Sequence, residues 1–120
     1  MRYMLLIYGS EKAREKMSDQ ERGAIFQQYG EFTEGIRKSG AFQAGDPLHP
    51  TGTAVTVRGK NGNAVTSDGP FAETSEQLGG YYIVEAQSRE EAIAIASRIP
   101  AVRVGGSVEV RPIMEMGPAR

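Results

Sequence analysis

Residues 1–10 read MRYMLLIYGS. Arg2 to Tyr8 is short, rich in β-formers and closed by Gly9-Ser10, which predicts a first strand. Side chains alternate across a strand, so Tyr3, Leu5 and Ile7 point to one side and Met4, Leu6 and Tyr8 to the other. Both sides are apolar. The same holds in GYYIVE, Gly80 to Glu85, where Tyr81 and Ile83 oppose Tyr82 and Val84. A sheet made of such strands is buried on two faces, and the chain offers two helices, enough to cover one. The second face calls for a second subunit, so the expectation is a homodimer packed sheet to sheet.

The helices announce themselves by their starts. Ser18 and Glu21 have the spacing of a capping box. Behind them Ile25, Tyr29, Phe32 and Ile36 step by four, three and four residues, the stripe of an amphipathic helix. Arg37, Lys38 and Gly40 suit its C-terminal end. Ser88 and Glu91 repeat the capping spacing ahead of the apolar stripe Ala92, Ile95, Ala96 and Ile99, which Pro100 stops. Residues 10–17 read as a charged connection. Phe42 to Gly45 begins a second strand, followed by the loop GDPLHPTG. Thr53 to Arg58 and Ala64 to Thr66 flank Asn61-Gly62, a strong hairpin signal. Val108 to Ile113 is the last strand, and residues 114–120 read as a flexible tail. The order β-α-β, hairpin, β-α-β is that of an α+β, ferredoxin-like split βαβ with an inserted hairpin.

Composition sets limits on function. One domain is the expectation for 120 residues. A net charge of −1 gives no electrostatic reason to expect nucleic-acid binding, which needs clustered positive charge. With no cysteine, disulfides, thiolate catalysis and cysteine-ligated metal are excluded. The apolar run at the N-terminus is followed at once by charges and lacks the cleavage pattern of a leader. No stretch approaches the roughly 20 apolar residues of a membrane span. The default location is the cytoplasm, without membrane or nucleic-acid partner, and no cofactor is called for.

The long blocks DGPFAET (residues 68–74) and EQLGGYY (residues 76–82), within TVRGKNGNAVTSDGPFAETSEQLGGYYIVEA and followed by VEVRP, carry a family signal. The chain resembles the DGPF-domain proteins of the YCII-related family from its first strand to Pro112. The resemblance implies a dimeric α+β barrel of ferredoxin-like subunits, in accord with the two apolar sheet faces. It also implies either an enzyme acting on a small aromatic compound or a partner of an extracytoplasmic-function sigma factor. A histidine–aspartate pair at the first helix and the following strand is suggested as the site in YCII-related relatives. This sequence departs from it: the helix has Gln27 and Gln28 but no histidine, and its end carries Arg37 and Lys38.

Candidate chemistry therefore rests on the loops. Asp68 precedes Gly69-Pro70, and the usual turn partner two residues on, Pro70, has no N–H to give it. That leaves its carboxylate for a cleft or a partner. His49, the one histidine, titrates nearest neutrality and is held between Pro47 and Pro50. Asp68 and His49 are the acid–base candidates. Arg58, able to clamp a carboxylate or phosphate, Glu73 and Asp46 are the ligand-orienting candidates. No metal site is expected, because the acids Asp68, Glu73 and Glu76 lack calcium-loop spacing. Phe71 is expected in the core. Two functions follow: a small-molecule-binding protein, as an enzyme working by acid–base chemistry on a small polar or aromatic metabolite, or a non-catalytic regulatory module beside a sigma factor.

Overall fold

The structure is a computed structural model that describes residues 1–117. Six strands and three α-helices alternate along the chain: β1 (Arg2–Gly9), α1 (Glu11–Glu15), α2 (Asp19–Lys38), β2 (Phe42–Pro47), β3 (Val55–Lys60), β4 (Asn63–Asp68), β5 (Gln77–Glu85), α3 (Arg89–Ala96) and β6 (Ser107–Pro112). Short 3₁₀ turns lie at Thr51–Thr53 and Pro100–Val104.

β1, β2, β5 and β6 form an antiparallel sheet in the order β2-β5-β1-β6. β1 and β2 run parallel with β5 between them, and β5 and β6 run parallel with β1 between them. This is the split βαβ order, and the fold is α+β. β3 and β4 pair only with each other, so the inserted hairpin is an arm on that sheet. Its tip is Asn61 and Gly62, both at positive φ, as a two-residue hairpin turn requires. The arm widens the molecule: the radius of gyration is 16.5 Å, against about 14 Å for a compact chain of this length.

α2 starts where its sequence says. Ser18 Oγ accepts from Glu21 N at 3.1 Å while Glu21 Oε1 accepts from Ser18 N at 2.9 Å, so two orphan donors are satisfied together. α1 is the element that sequence reading leaves as a connection. Ser10 caps it, accepting from Ala13 N at 3.1 Å. Its second support is tertiary: the Glu11 carboxylate accepts from Thr51 N at 2.9 Å and from Thr51 Oγ1 at 2.7 Å. Five residues with nothing buried display no apolar stripe to read.

The core lies between one face of the sheet and the helices. Tyr3, Leu5, Tyr82 and Val84 from the sheet meet Ile36 of α2, Ala92, Ile95 and Ala96 of α3, and Ile99. Cross-strand pairing sets this face, since Leu5 stands opposite both Tyr82 and Val110. The other face presents Met4, Leu6, Tyr8, Leu78 and Ile83, all half-buried, with no described helix or strand packed over them.

The C-terminal segment departs from expectation where it is described. Glu115 is tied to β1, accepting from Arg2 Nε at 2.8 Å, although Met114 to Gly117 belong to no regular element. Residues 118–120, the rest of the expected tail, lie outside the described residues.

Candidate functional site

Where the sheet narrows toward its glycine-rich end, α2 and β5 diverge and leave a cleft of about 840 Å³. Its back is bare backbone. A Cβ on Gly45 would sit 2.5 Å from the Tyr82 ring, and one on Gly80 would sit 3.0 Å from Asp46 O. Gly79 is the extra residue where the β1–β5 register slips between Ile7 and Tyr8. Such bulges are frequent beside binding sites because they re-aim the chain.

The walls are aromatic. Tyr82 packs edge-on to Phe32, with ring centres 5.2 Å apart, and to Phe42 at 6.4 Å. Phe26 stands at the rim, 82% exposed. Arg37 is stacked over Phe42, its guanidinium 4.3 Å from the ring centre.

At the base is a chain of hydroxyls. Thr33 Oγ1 lies 2.7 Å from Tyr82 Oη and donates to Tyr29 O at 2.8 Å. Thr33 is four residues after Tyr29, so both face the sheet from one side of α2. The Tyr29 phenol is pushed above its ordinary pKa, first by burial and then by the neighbouring Tyr82, with the Ala101 backbone and Arg14 working against the rise. The folded state therefore holds this proton more tightly than the unfolded chain. The stability it contributes is complete below the usual tyrosine pKa of about 10 and is lost as pH rises from there through the raised folded-state value. Urea melts between about pH 8 and 11 check this: wild type should lose stability over that range, and Tyr29→Phe should lose less. Tyr81 is raised in the same direction by the Asp46 carboxylate, which accepts its hydroxyl at 2.8 Å.

Arginines set the charge of the cleft. Arg14, Arg22 and Arg37 line it, against Glu34 and Asp46. Arg22 is committed to the C-terminal end of α1, donating to Arg14 O at 3.0 Å and Glu15 O at 3.0 Å. Arg37 is committed to its ring. Among the described residues the Arg14 side chain has neither an ion pair nor a hydrogen bond. It also borders a smaller, adjoining cleft of about 280 Å³ lined by Glu11, His49 and Gln77.

The expected site residues separate into two groups. Asp46 borders the large cleft and His49 the small one, so the GDPLHP loop does reach this region. Asp68, Arg58 and Glu73 line neither cleft. Asp68 ends β4 opposite Val55, exposed. Arg58 donates to Phe71 O at 3.0 Å and lies over the Phe71 ring. Phe71 is not in the core but 68% exposed on the arm. Gly69, at φ 99°, closes the base of the arm by donating to Ala54 O at 2.7 Å, so the first half of the DGPF stretch has a backbone role here. Among the described residues no cluster of three or more acids and histidine could hold a metal ion. No described helix is long and apolar enough to cross a membrane.

Sequence reading misses Tyr82, Thr33, Tyr29 and Arg14 as site residues. It does assign the opposed faces of Tyr81 and Tyr82, and it places Tyr29 on the inward stripe of α2. The meeting of Thr33 with Tyr82, 49 residues on, is a tertiary fact.

An apolar, aromatic-walled cleft with a few convergent polar groups has the general form of a small-molecule pocket. Residues 1–117 match the YCII-related domain, also called DGPF, and the chain belongs to that family. It is 32% identical over 114 residues to an uncharacterised protein of Rhizobium meliloti (strain 1021), covering 94% of this chain and 92% of that one. Among solved structures it is similar to 5-chloro-2-hydroxyhydroquinone dehydrochlorinase from Burkholderia phenoliruptrix AC1100, in complex with 2,5-dihydroxybenzoquinone. The TM-score is 0.57 at 16% identity, over 97% of this chain and 96% of that chain. At that identity the likeness is one of fold.

Proposed function

We propose that the protein binds a small aromatic metabolite in the cleft between α2 and β5 and acts on it by acid–base chemistry. The observation that carries this reading is the hydroxyl chain at the base of an aromatic-walled, glycine-backed cleft of about 840 Å³. That volume lies in the range of ligand pockets, roughly 300–1,000 Å³, and few convergent polar groups on apolar walls is the pattern of a ligand site. The similarity in fold to a dehydrochlorinase of a hydroxylated aromatic supports the same reading. Of the sequence candidates, His49 is the acid–base group on the adjoining smaller cleft and Asp46, which holds the Tyr81 hydroxyl, borders the large one; Asp68, Arg58 and Glu73 line neither.

The test is a thermal-shift screen of wild type and Tyr82→Phe against aromatic metabolites. A ligand at about one hundred times its Kd stabilises the native state by about 2.7 kcal/mol. Wild type should gain several degrees with at least one aromatic compound, and Tyr82→Phe should lose most of that gain. A hit unaffected by Tyr82→Phe places the site elsewhere. No hit at all favours the regulatory reading.

The same proposal takes the working protein as a homodimer. Met4, Leu6, Tyr8, Leu78 and Ile83 make an apolar strip along β1 and β5, flanked by Glu109 and Arg111 of β6, that no described helix or strand covers. A two-fold partner presents the same face and so needs no second complementary surface.

A further inference from the structure

We infer that the ligand is a hydroxylated aromatic anion, bound with its hydroxyl donating to Tyr82 Oη and its anionic group on Arg14; this rests on the cleft being the ligand site. The inference follows from counting protons. Thr33 Oγ1 carries one. It lies 2.8 Å from Tyr29 O, a carbonyl oxygen that can only accept, so that proton is spent there. Oγ1 also lies 2.7 Å from Tyr82 Oη, and with no proton left on Thr33 the hydrogen between them comes from Tyr82. The Tyr82 oxygen thus has no proton for a ligand. It offers a lone pair only.

An acceptor of this kind discriminates. A carbonyl, an ether or an ionised phenol brought against it sets acceptor against acceptor. A neutral hydroxyl satisfies it, and leaving a buried polar group unmade costs more than the bond gains. The sign of the ligand's charge comes from the other side of the cleft. Three arginines, Arg14, Arg22 and Arg37, face two acids, Glu34 and Asp46, so the lining is net positive; Arg22 and Arg37 are engaged within the chain, which leaves Arg14 as the lining cation without a partner among the described residues. An unengaged guanidinium at the edge of an apolar cleft favours a planar anion such as a carboxylate, which it can bind in a bidentate manner. The aromatic rings of Phe26, Tyr29, Phe42 and Tyr82 supply the surface between the two ends.

Three probes and three variants of the full chain test it, with affinity measured by calorimetry. 4-Hydroxybenzoate has both features, 4-fluorobenzoate keeps its size and charge but loses the donor, and phenol keeps the donor but loses the anion. Wild type should bind 4-hydroxybenzoate about tenfold more tightly than either, the worth of one well-made bond. Arg14→Gln should remove the advantage over phenol and leave phenol binding unchanged. Thr33→Val takes away the acceptor that holds the Tyr82 proton, so the preference for hydroxyl over fluorine should collapse, while Thr33→Ser, which keeps the hydroxyl, should retain it. Equal binding of 4-hydroxybenzoate and 4-fluorobenzoate by wild type overturns the donor assignment. An intact carboxylate preference in Arg14→Gln overturns the anion assignment. If all three probes bind with equal affinity, the cleft reading survives and this inference falls; if no aromatic compound binds, both fall.

Discussion

Leu5→Ala should cost about 3 kcal/mol and lower the melting temperature by roughly 12 °C. Leu5 has no exposed surface and sits at the centre of the sheet, opposite both Tyr82 and Val110, where no neighbour is free to collapse into the space left. The loss combines the transfer free energy of the deleted carbons with the cavity they leave. Denaturant melts of Leu5→Ala beside Met4→Ala check the assignment. Met4 is the next residue, on the open face, and at low protein concentration it should cost well under half as much. Equal losses at every concentration would show that the two faces are buried alike within one chain.

Leu6→Asp should convert the protein from a dimer to a folded monomer. Leu6 stands between Tyr81 and Glu109 on the uncovered face, so a carboxylate there remains hydrated in the single chain but would be desolvated at a sheet-to-sheet interface. Desolvating an unpaired charge costs several kcal/mol for each copy, and a two-fold interface incurs that cost twice. Light scattering on a sizing column gives the answer directly. A wild-type monomer at micromolar concentration, or a Leu6→Asp dimer as stable as wild type, would remove the sheet-to-sheet arrangement.

The parts of the fold that sequence reveals are those specified locally. Ser18 and Glu21 announce the start of α2, and Ser88 that of α3, because a cap is made by residues three apart. Asn61-Gly62 reveals the hairpin because two adjacent residues at positive φ are a local demand. What escapes is set by distant contacts. α1 is held by its own cap and by Thr51, on a loop some forty residues away, so its sequence shows only charges. Phe71 has the composition of a core residue, yet the arm that carries it stands off the main sheet. The reading of Asp68 started from a sound premise, that Pro70 has no N–H to bind it. An unengaged carboxylate needs walls around it to become a site, and those are raised by α2, where the stripe reveals Tyr29 as inward but nothing local marks Thr33 as the partner of Tyr82.

The bare backbone at Gly45 and Gly80 has a consequence for how such a protein diversifies. The ring of Tyr82 rests against main chain, and a side chain at position 45 would collide with it. The back of the cleft is therefore fixed by strand geometry, while much of the front is made of side chains on α2. A lineage can exchange Phe26, Thr33 or Arg37 one at a time and alter what is held without recasting the container. On the proposed function, small changes of side chain would adjust which ligand is held, while the strand backbone behind it would stay as it is.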